Sequence, residues 1–212
     1  MKHVVVEVLL LLTLVLAAAP RSGDSARHGS SQQRHWEETE TETVWRDRYT
    51  NCDYGYYVVL PSGVIAHGSH SPAPNHGFVV SLPDVGRTSE ASLNDQRYIW
   101  VNAEFNMSES QSLRGVANYQ FDLASRDKAN RRVLESEPTK LGGLSAIRFR
   151  FEYDGANGRT REEEVVAFRP EKAGVGIVYE IGLRTELVYY ARDSQWFDQM
   201  RLGFRLLSLP QG

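Results

Sequence analysis

Alternating apolar and polar residues mark the longest strands of this chain. Between residues 97 and 106 the apolar positions are Ile99, Val101, Ala103 and Phe105, and the residues between them are polar or aromatic. Residues 144–153 alternate in the same way, with Ile147, Phe149, Phe151 and Tyr153 on one face. Such alternation is typical of strands with one buried face. Because residues 161–169 return after the loop 154–158, we predict a β-hairpin here.

Two segments change to the helical period of 3.6 residues. The first runs from Ser108, its predicted N-cap, to about Asn130. The second is predicted to begin at Asp193 or Ser194 and to carry Phe197, Met200, Leu202 and Phe204. Shorter strands are predicted at 54–60, 64–66, 78–82, 133–137 and 176–184. We therefore predict an α+β fold, with two main helices packed on one mostly antiparallel six- to seven-stranded sheet.

The N-terminus has the pattern of a secretory signal peptide. Lys2 precedes the apolar run 8–16, and the small residues 17–19 follow it. A membrane-spanning helix needs about 20 apolar residues, so a cleaved signal peptide is favoured over a membrane anchor. We predict a signal peptide at 1–18, a disordered polar and acidic tether at 19–43, and a single α+β domain at 44–212. The mature protein is then expected to be secreted or periplasmic, without a membrane segment.

Two stretches of the predicted domain suggest a family. The first is GYYVVLPSG at 55–63, a strand that ends in a proline turn. The second is GIVYEI at 176–181, followed by a helix with Phe197 and Phe204. In their order along the chain, these elements resemble the PsbP-like family. The resemblance implies an α/β/α sandwich and a non-catalytic accessory or binding protein, although the His- and Pro-rich loop at 67–77 has no match in the family pattern.

Charge and cysteine content limit the kinds of partner and cross-link that we expect for this protein. The 212 residues contain 24 Lys and Arg and 27 Asp and Glu, which gives a net charge of -3. A nucleic-acid partner is not expected, because such proteins carry a basic excess or a clustered basic face. Cys52 is the only cysteine, so no internal disulfide can form. A free thiol on an exported protein would be exposed to oxidation, and we expect Cys52 to be at least partly buried.

Three histidines offer metal chemistry. His67, His70 and His76 lie within ten positions, and their imidazoles could bind zinc or copper. The prolines and glycines between them are typical of a turn-rich polar loop. The sequence favours that loop, and no other cofactor is predicted.

The glutamates of the predicted hairpin offer acid–base chemistry. In a strand, Glu162 and Glu164 share one face, and we expect them to pair across the hairpin with Arg148 and Arg150. A solvated ladder of this kind is favoured over a catalytic pair of carboxyl groups, which requires a cleft between them.

Aromatic residues offer a binding surface. Tyr98 and Trp100 occupy the polar positions of their strand, so either a helix covers them or they form a binding patch. The sequence thus favours an exported, non-catalytic accessory or binding domain that recognises a protein or small ligand. The alternative is a metal-binding protein or metal-dependent enzyme that uses His67, His70 and His76.

Overall fold

The computed structural model describes residues 43–68, 76–82, 97–171 and 175–207. The predicted signal peptide, nearly all of the predicted tether, and His70 lie outside these ranges. The strands are β1 (Thr43–Trp45), β2 (Arg48–Asn51), β3 (Tyr56–Val59), β4 (Ala66–Gly68), β5 (Gly77–Ser81), β6 (Tyr98–Phe105), β7 (Arg132–Leu141), β8 (Leu144–Gly155), β9 (Gly158–Arg169), β10 (Ile177–Glu186) and β11 (Phe204–Leu206). The helices are α1 (Leu113–Ser125) and α2 (Tyr190–Gly203).

Eight of these strands form one antiparallel sheet, in the order β1-β4-β5-β6-β10-β9-β8-β7. The other three form a small sheet in the order β11-β3-β2. The predicted number of strands, six or seven in one sheet, was therefore too low, because the described ranges contain eleven strands in two sheets. Strands such as β1 and β11 have three residues each, too few to show alternation.

The predicted hairpin is confirmed. Strands β8 and β9 pair without interruption from Ala146 and Ala167 to Gly155 and Gly158. Residues 156 and 157 alone form the turn, and Gly158 has a φ of 122°, a conformation that side chains disfavour. The predicted apolar face is also confirmed, since its four members are all buried: Ile147, Phe149, Phe151 and Tyr153.

Helix α1 begins later than predicted. Its N-cap is Ser112, whose Oγ accepts a hydrogen bond from the amide of Gly115 at 3.2 Å. Ser108 donates instead from its Oγ to Oδ1 of Asn106 at 2.6 Å. Both serines can cap a helix, and the periodic pattern alone did not distinguish them. The helix ends at Ser125 and not near Asn130.

Helix α2 begins earlier than predicted. It starts at Tyr190, so Asp193 and Ser194 lie within its first turns rather than at a cap. Phe204 is extended (φ -70°, ψ 130°) and forms part of β11, where it pairs with Val58 of β3. The prediction that Phe204 belongs to the helix was therefore wrong. Phe204 is buried in the same core as Phe197 of α2, because the small sheet packs on that core too. An apolar residue at this position therefore fits the helical pattern although it lies in a strand.

The large sheet carries an apolar core on each face. We call them the α1 face and the α2 face. On the α1 face, α1 packs over residues of β8, β9 and β10: Ile147, Phe149, Val166, Phe168 and Val178. On the α2 face, α2 and the small sheet enclose the larger core, which includes Tyr56, Ile181, Phe197 and Phe204. This layering confirms the α+β class. Neither helix in the described ranges has the length and apolar character needed to cross a membrane.

Candidate ligand-binding site

Tyr98 and Trp100 lie on the α1 face, half-buried, outside the apolar cluster beneath α1. In the register of β6 and β10, Tyr98 is opposite Arg184 and Trp100 is opposite Gly182. Their ring centroids are 5.6 Å apart. A Cβ atom on Gly182 would lie 1.9 Å from Cζ2 of Trp100, so the indole rests directly on the backbone of β10. The glycine therefore makes room for this indole.

A pocket of about 210 Å³ opens at the same end of the sheet as Tyr98. We call it the end pocket. It lies where β6 and β9 begin and β8 and β10 end, beside the segment that follows α1. Its lining is almost entirely polar: Arg97, Lys128, Tyr153, Gly155, Ala156, Asn157, Thr160, Arg184, Thr185 and Glu186.

A buried ion pair holds one wall of the end pocket. Nε of Arg97 donates to Oδ2 of Asp193 at 2.8 Å, and both side chains are almost fully buried. The hydroxyl of Thr185 donates to the same oxygen at 2.6 Å. The Arg97 guanidinium also lies over the ring of Tyr189, 4.2 Å from its centroid. These contacts join the start of β6, the end of β10 and α2.

The carboxylate of Glu162 organises the other wall. It accepts a hydrogen bond from the hydroxyl of Tyr153 at 2.9 Å and pairs with Nε of Arg184. Nζ of Lys128 lies 3.8 Å from the same carboxylate and 4.7 Å from the centroid of the Tyr153 ring. Partial burial lowers the pKa of Lys128, although the charge of Glu162 opposes this shift. The Arg184 guanidinium in turn lies 5.1 Å from the Tyr98 centroid, which connects the end pocket to the aromatic pair.

The predicted solvated ladder of glutamates is wrong. Glu162, Glu163 and Glu164 are all buried. Register explains the pairing: Glu163 is opposite Arg150, while Glu162 and Glu164 are opposite Phe151 and Phe149. Of the three glutamates, Glu163 is the one on the face of the two arginines, and it forms the ion pair with Arg148. Arg150 pairs with two glutamates of β7, Glu135 and Glu137.

Two carboxyl groups on the α1 face lack full pairing. Glu164 and Glu180 are diagonal neighbours on β9 and β10, and each has a buried oxygen without a hydrogen-bond partner in the described part of the chain. Burial, followed by the charges of Glu162 and Glu104, raises the pKa of Glu164 to about 8. Burial and the neighbouring carboxylates also raise the pKa of Glu180 well above its usual range. Both shifts favour the protonated form of these carboxyl groups.

Of the three histidines, the structure describes two. His67 is half-buried in β4. Nδ1 of His76 lies 3.0 Å from the carbonyl oxygen of Ala103 and 3.3 Å from the hydroxyl of Tyr54. His70 is outside the described residues, and within those residues no three His, Cys, Asp or Glu side chains are grouped to hold a metal ion. The three-histidine site stays a prediction.

Cys52 is exposed, contrary to expectation. It follows the last residue of β2 and begins the turn that leads to β3. The neighbouring residues Asn51 and Tyr54 take the buried positions: the amide of Tyr54 donates to Oδ1 of Asn51 at 3.0 Å. A turn position at the sheet edge therefore places the thiol in solvent.

No protein-family model matches this chain. No curated protein matches it either. Among solved structures, the chain is similar to the PsbP protein CyanoP of Synechocystis sp. PCC 6803, with 15% identity, 77% of this chain and 92% of that chain covered, and a TM-score of 0.49. It is also similar to LpqN of Mycobacterium tuberculosis, which is involved in cell envelope biogenesis. The identity is 14%, 82% of this chain and 88% of LpqN are covered, and the TM-score is 0.46. A third similar structure is the Ran-binding protein Mog1p of Saccharomyces cerevisiae. The identity is 11%, 78% of this chain and 97% of Mog1p are covered, and the TM-score is 0.47.

One of these structures, CyanoP, is a PsbP protein, and the order of elements in this chain resembles that family. Their identities with this chain are low, and the similarity assigns no ligand and no residue role to it.

Proposed function

We propose that this protein is an exported, non-catalytic binding domain that holds a small organic acid in the end pocket. The observation that carries the proposal is the incomplete pairing of Lys128. Its ammonium group lines the pocket, and its nearest carboxylate, Glu162, is 3.8 Å away and already pairs with Arg184. A ligand carboxylate would give Lys128 a direct partner in a partly desolvated place, where such a contact is strong.

The fixed walls favour binding over catalysis. Asp193 is held by Arg97 and Thr185, and Glu162 is held by Tyr153 and Arg184. A general base or nucleophile needs a free group in reach of the substrate, whereas these carboxylates already accept hydrogen bonds from the wall itself. Such engaged groups suit a preformed pocket that orients a ligand.

Tyr98 and Trp100 supply the apolar side of the proposed site. Tyr98 lies against Arg184, which lines the end pocket, and Trp100 lies against Tyr98. The carbon skeleton of an acid bound at Lys128 would extend toward these rings. Trp100→Ala is accordingly expected to weaken binding while the domain stays folded.

Titration with succinate tests this proposal, with putrescine as a probe of opposite charge. We expect succinate to shift the NMR signals of the Trp100 indole and the Lys128 amide, and putrescine to leave both unchanged. Lys128→Ala should raise the Kd for succinate about tenfold or more. Arg114→Ala is the matched control, because Arg114 is exposed on α1 and away from the pocket lining. Equal affinities of the Lys128 variant and the parent protein, or no shift at the pocket, would overturn the assignment.

Export has a separate test. The apolar run 8–16 followed by small residues supports a signal peptide. N-terminal sequencing of the native protein should therefore begin at Ala19. A native chain that still begins with Met1 would contradict cleavage and favour an anchor.

A further inference from the structure

A second, larger pocket lies at the opposite end of the sheet from the end pocket. It is about 430 Å³ and lies between the turn that joins β7 to β8 and the last turn of α2. We call it the turn pocket. Within the described part of the chain, its lining contains three cations and no carboxylate: Thr139, Lys140, Gly142, Gly143, Arg201, Leu202 and Arg205.

The turn pocket has a fixed frame. Leu141 pairs with Leu144, so the turn consists of Gly142 and Gly143 alone, with φ values of 58° and 91°. A Cβ atom on Gly142 would lie 2.8 Å from a ring carbon of the buried Phe204. The glycine turn is therefore pressed against the strand that follows α2. Gly142 and Gly143 lie beyond the last strand pair, Leu141 with Leu144.

Two of the three cations have no acidic partner among the residues that the structure describes. Arg201 donates from Nε and Nη2 to Oδ1 of Asp198, at 3.3 and 3.2 Å. Arg205 uses Nη1 on the backbone carbonyls of Leu202 and Phe204, which caps the end of α2. Neither Lys140 nor Arg205 forms an ion pair with any residue that the structure describes. Helix capping explains the position of Arg205, but it does not explain Lys140 or the glycine turn.

We propose that the turn pocket binds a phosphate group. A phosphate has several acceptor oxygens and up to two negative charges, and arginine and lysine groups beside backbone amides are the donors that suit it. The unpaired charges of Lys140 and Arg205 match a dianion. The remaining donors of the Arg205 guanidinium and the ammonium group of Lys140 reach the ligand from two different chain segments.

The phosphate could belong to a soluble compound or to a lipid headgroup. Leu202 lines the same pocket and is 62% exposed, so an apolar group lies beside the cations. A free phosphate needs only the cations, whereas a lipid headgroup would also place acyl chains near Leu202. The two sources share one chemistry at Lys140 and Arg205 and are separated by the arms of the experiment.

The experiment uses the full chain and follows the backbone amide signals of Gly142 and Gly143 by NMR. In the first arm the probe is inorganic phosphate. In the second arm it is vesicles of phosphatidylcholine with phosphatidic acid, against pure phosphatidylcholine. We expect phosphate to shift both glycine signals, with an affinity that falls as salt is added. Binding to the phosphatidic acid vesicles alone would identify the lipid as the source.

Lys140→Ala decides the proposal. Lys140 is exposed and makes no ion pair with the described residues, so its loss should leave the melting temperature unchanged while raising the Kd for phosphate about tenfold. Arg205→Ala should weaken binding equally but also destabilise the end of α2. Arg114→Ala should change neither. The proposal is overturned if neither probe shifts the glycine signals, or if Lys140→Ala binds as the parent protein does.

Discussion

The two faces of the large sheet both bury glutamate carboxyl groups, but they give these groups different partners. On the α2 face, Glu163 pairs with Arg148 and accepts a hydrogen bond from the hydroxyl of Tyr190 at 2.5 Å. On the α1 face, Glu164 and Glu180 each keep a buried oxygen without a partner in the described chain. Glu163 therefore has a cation and a hydroxyl group as partners, whereas burial and neighbouring carboxylates raise the pKa of Glu164 and Glu180. The comparison shows that glutamates buried in one sheet can differ in the partners that the structure gives them.

The largest effect on stability is expected on the α2 face, where Arg97 is the main partner of the buried Asp193. Arg97→Met should lower the free energy of unfolding by about 3–5 kcal/mol, because it leaves the carboxylate of Asp193 buried without its main partner. Arg192→Met is the control: Arg192 contacts the same carboxylate at 3.1 Å, but its side chain is 40% exposed, and its loss should change stability by about 1 kcal/mol or less. Urea denaturation measures both. Equal losses would contradict the importance of burial for this pair.

The separation of these partners along the chain explains why the sequence does not reveal them. Arg97 and Asp193 are 96 positions apart, and no local pattern indicates that they meet. The strand pattern predicts β6 and β8 well, because apolar and polar residues alternate in both, and β9 is predicted from its return after the loop. It gives no sign of β1 or β11, which have three residues each.

Contacts between distant segments also explain why the sequence predicts the candidate site only in part. Alternation correctly places Tyr98 and Trp100 on the face opposite Ile99 and Val101, but it interprets Glu162 and Glu164 as solvent-facing. Their burial depends on α1 and on Arg184, which come from distant segments. The one local signal is that the run of three glutamates leads directly into the apolar residues Val165 and Val166, and only the packed structure shows that all three glutamates are buried.

A smaller loss on the α2 face is expected from a single hydroxyl. Tyr190→Phe removes the hydrogen bond to Glu163 and should lower the free energy of unfolding by about 1.5–3 kcal/mol, as for hydrogen bonds to charged groups. Burial, with the contact to Glu163, raises the pKa of Tyr190 to about 12. Alkaline titration followed by tyrosinate absorbance should therefore lose one of its late steps in this variant. Tyr119→Phe on α1 is the control, and unchanged stability of both variants would show that Arg148 alone stabilises Glu163.

The last effect has the opposite sign and concerns a glutamate on the α1 face. A buried carboxyl group with a raised pKa keeps its proton when folded but loses it when unfolded, so stability falls as pH rises. For Glu164 this fall spans the range from its ordinary pKa of 4.5 to about 8. Glu164→Gln cannot ionise and removes this contribution. We expect the variant to be more stable than the parent at the upper end of this range, with the difference vanishing at the lower end.

Glu163→Gln is the matched control for this last prediction, because the two residues are neighbours on β9 and face opposite sides of the sheet. Its loss of charge leaves Arg148 without its buried partner, so it should destabilise the protein at neutral pH. Denaturation of both variants across the pH range measures the two effects together. Parallel stability curves for the parent protein and Glu164→Gln would show that Glu164 does not hold its proton, and the contrast between the faces would then concern pairing alone.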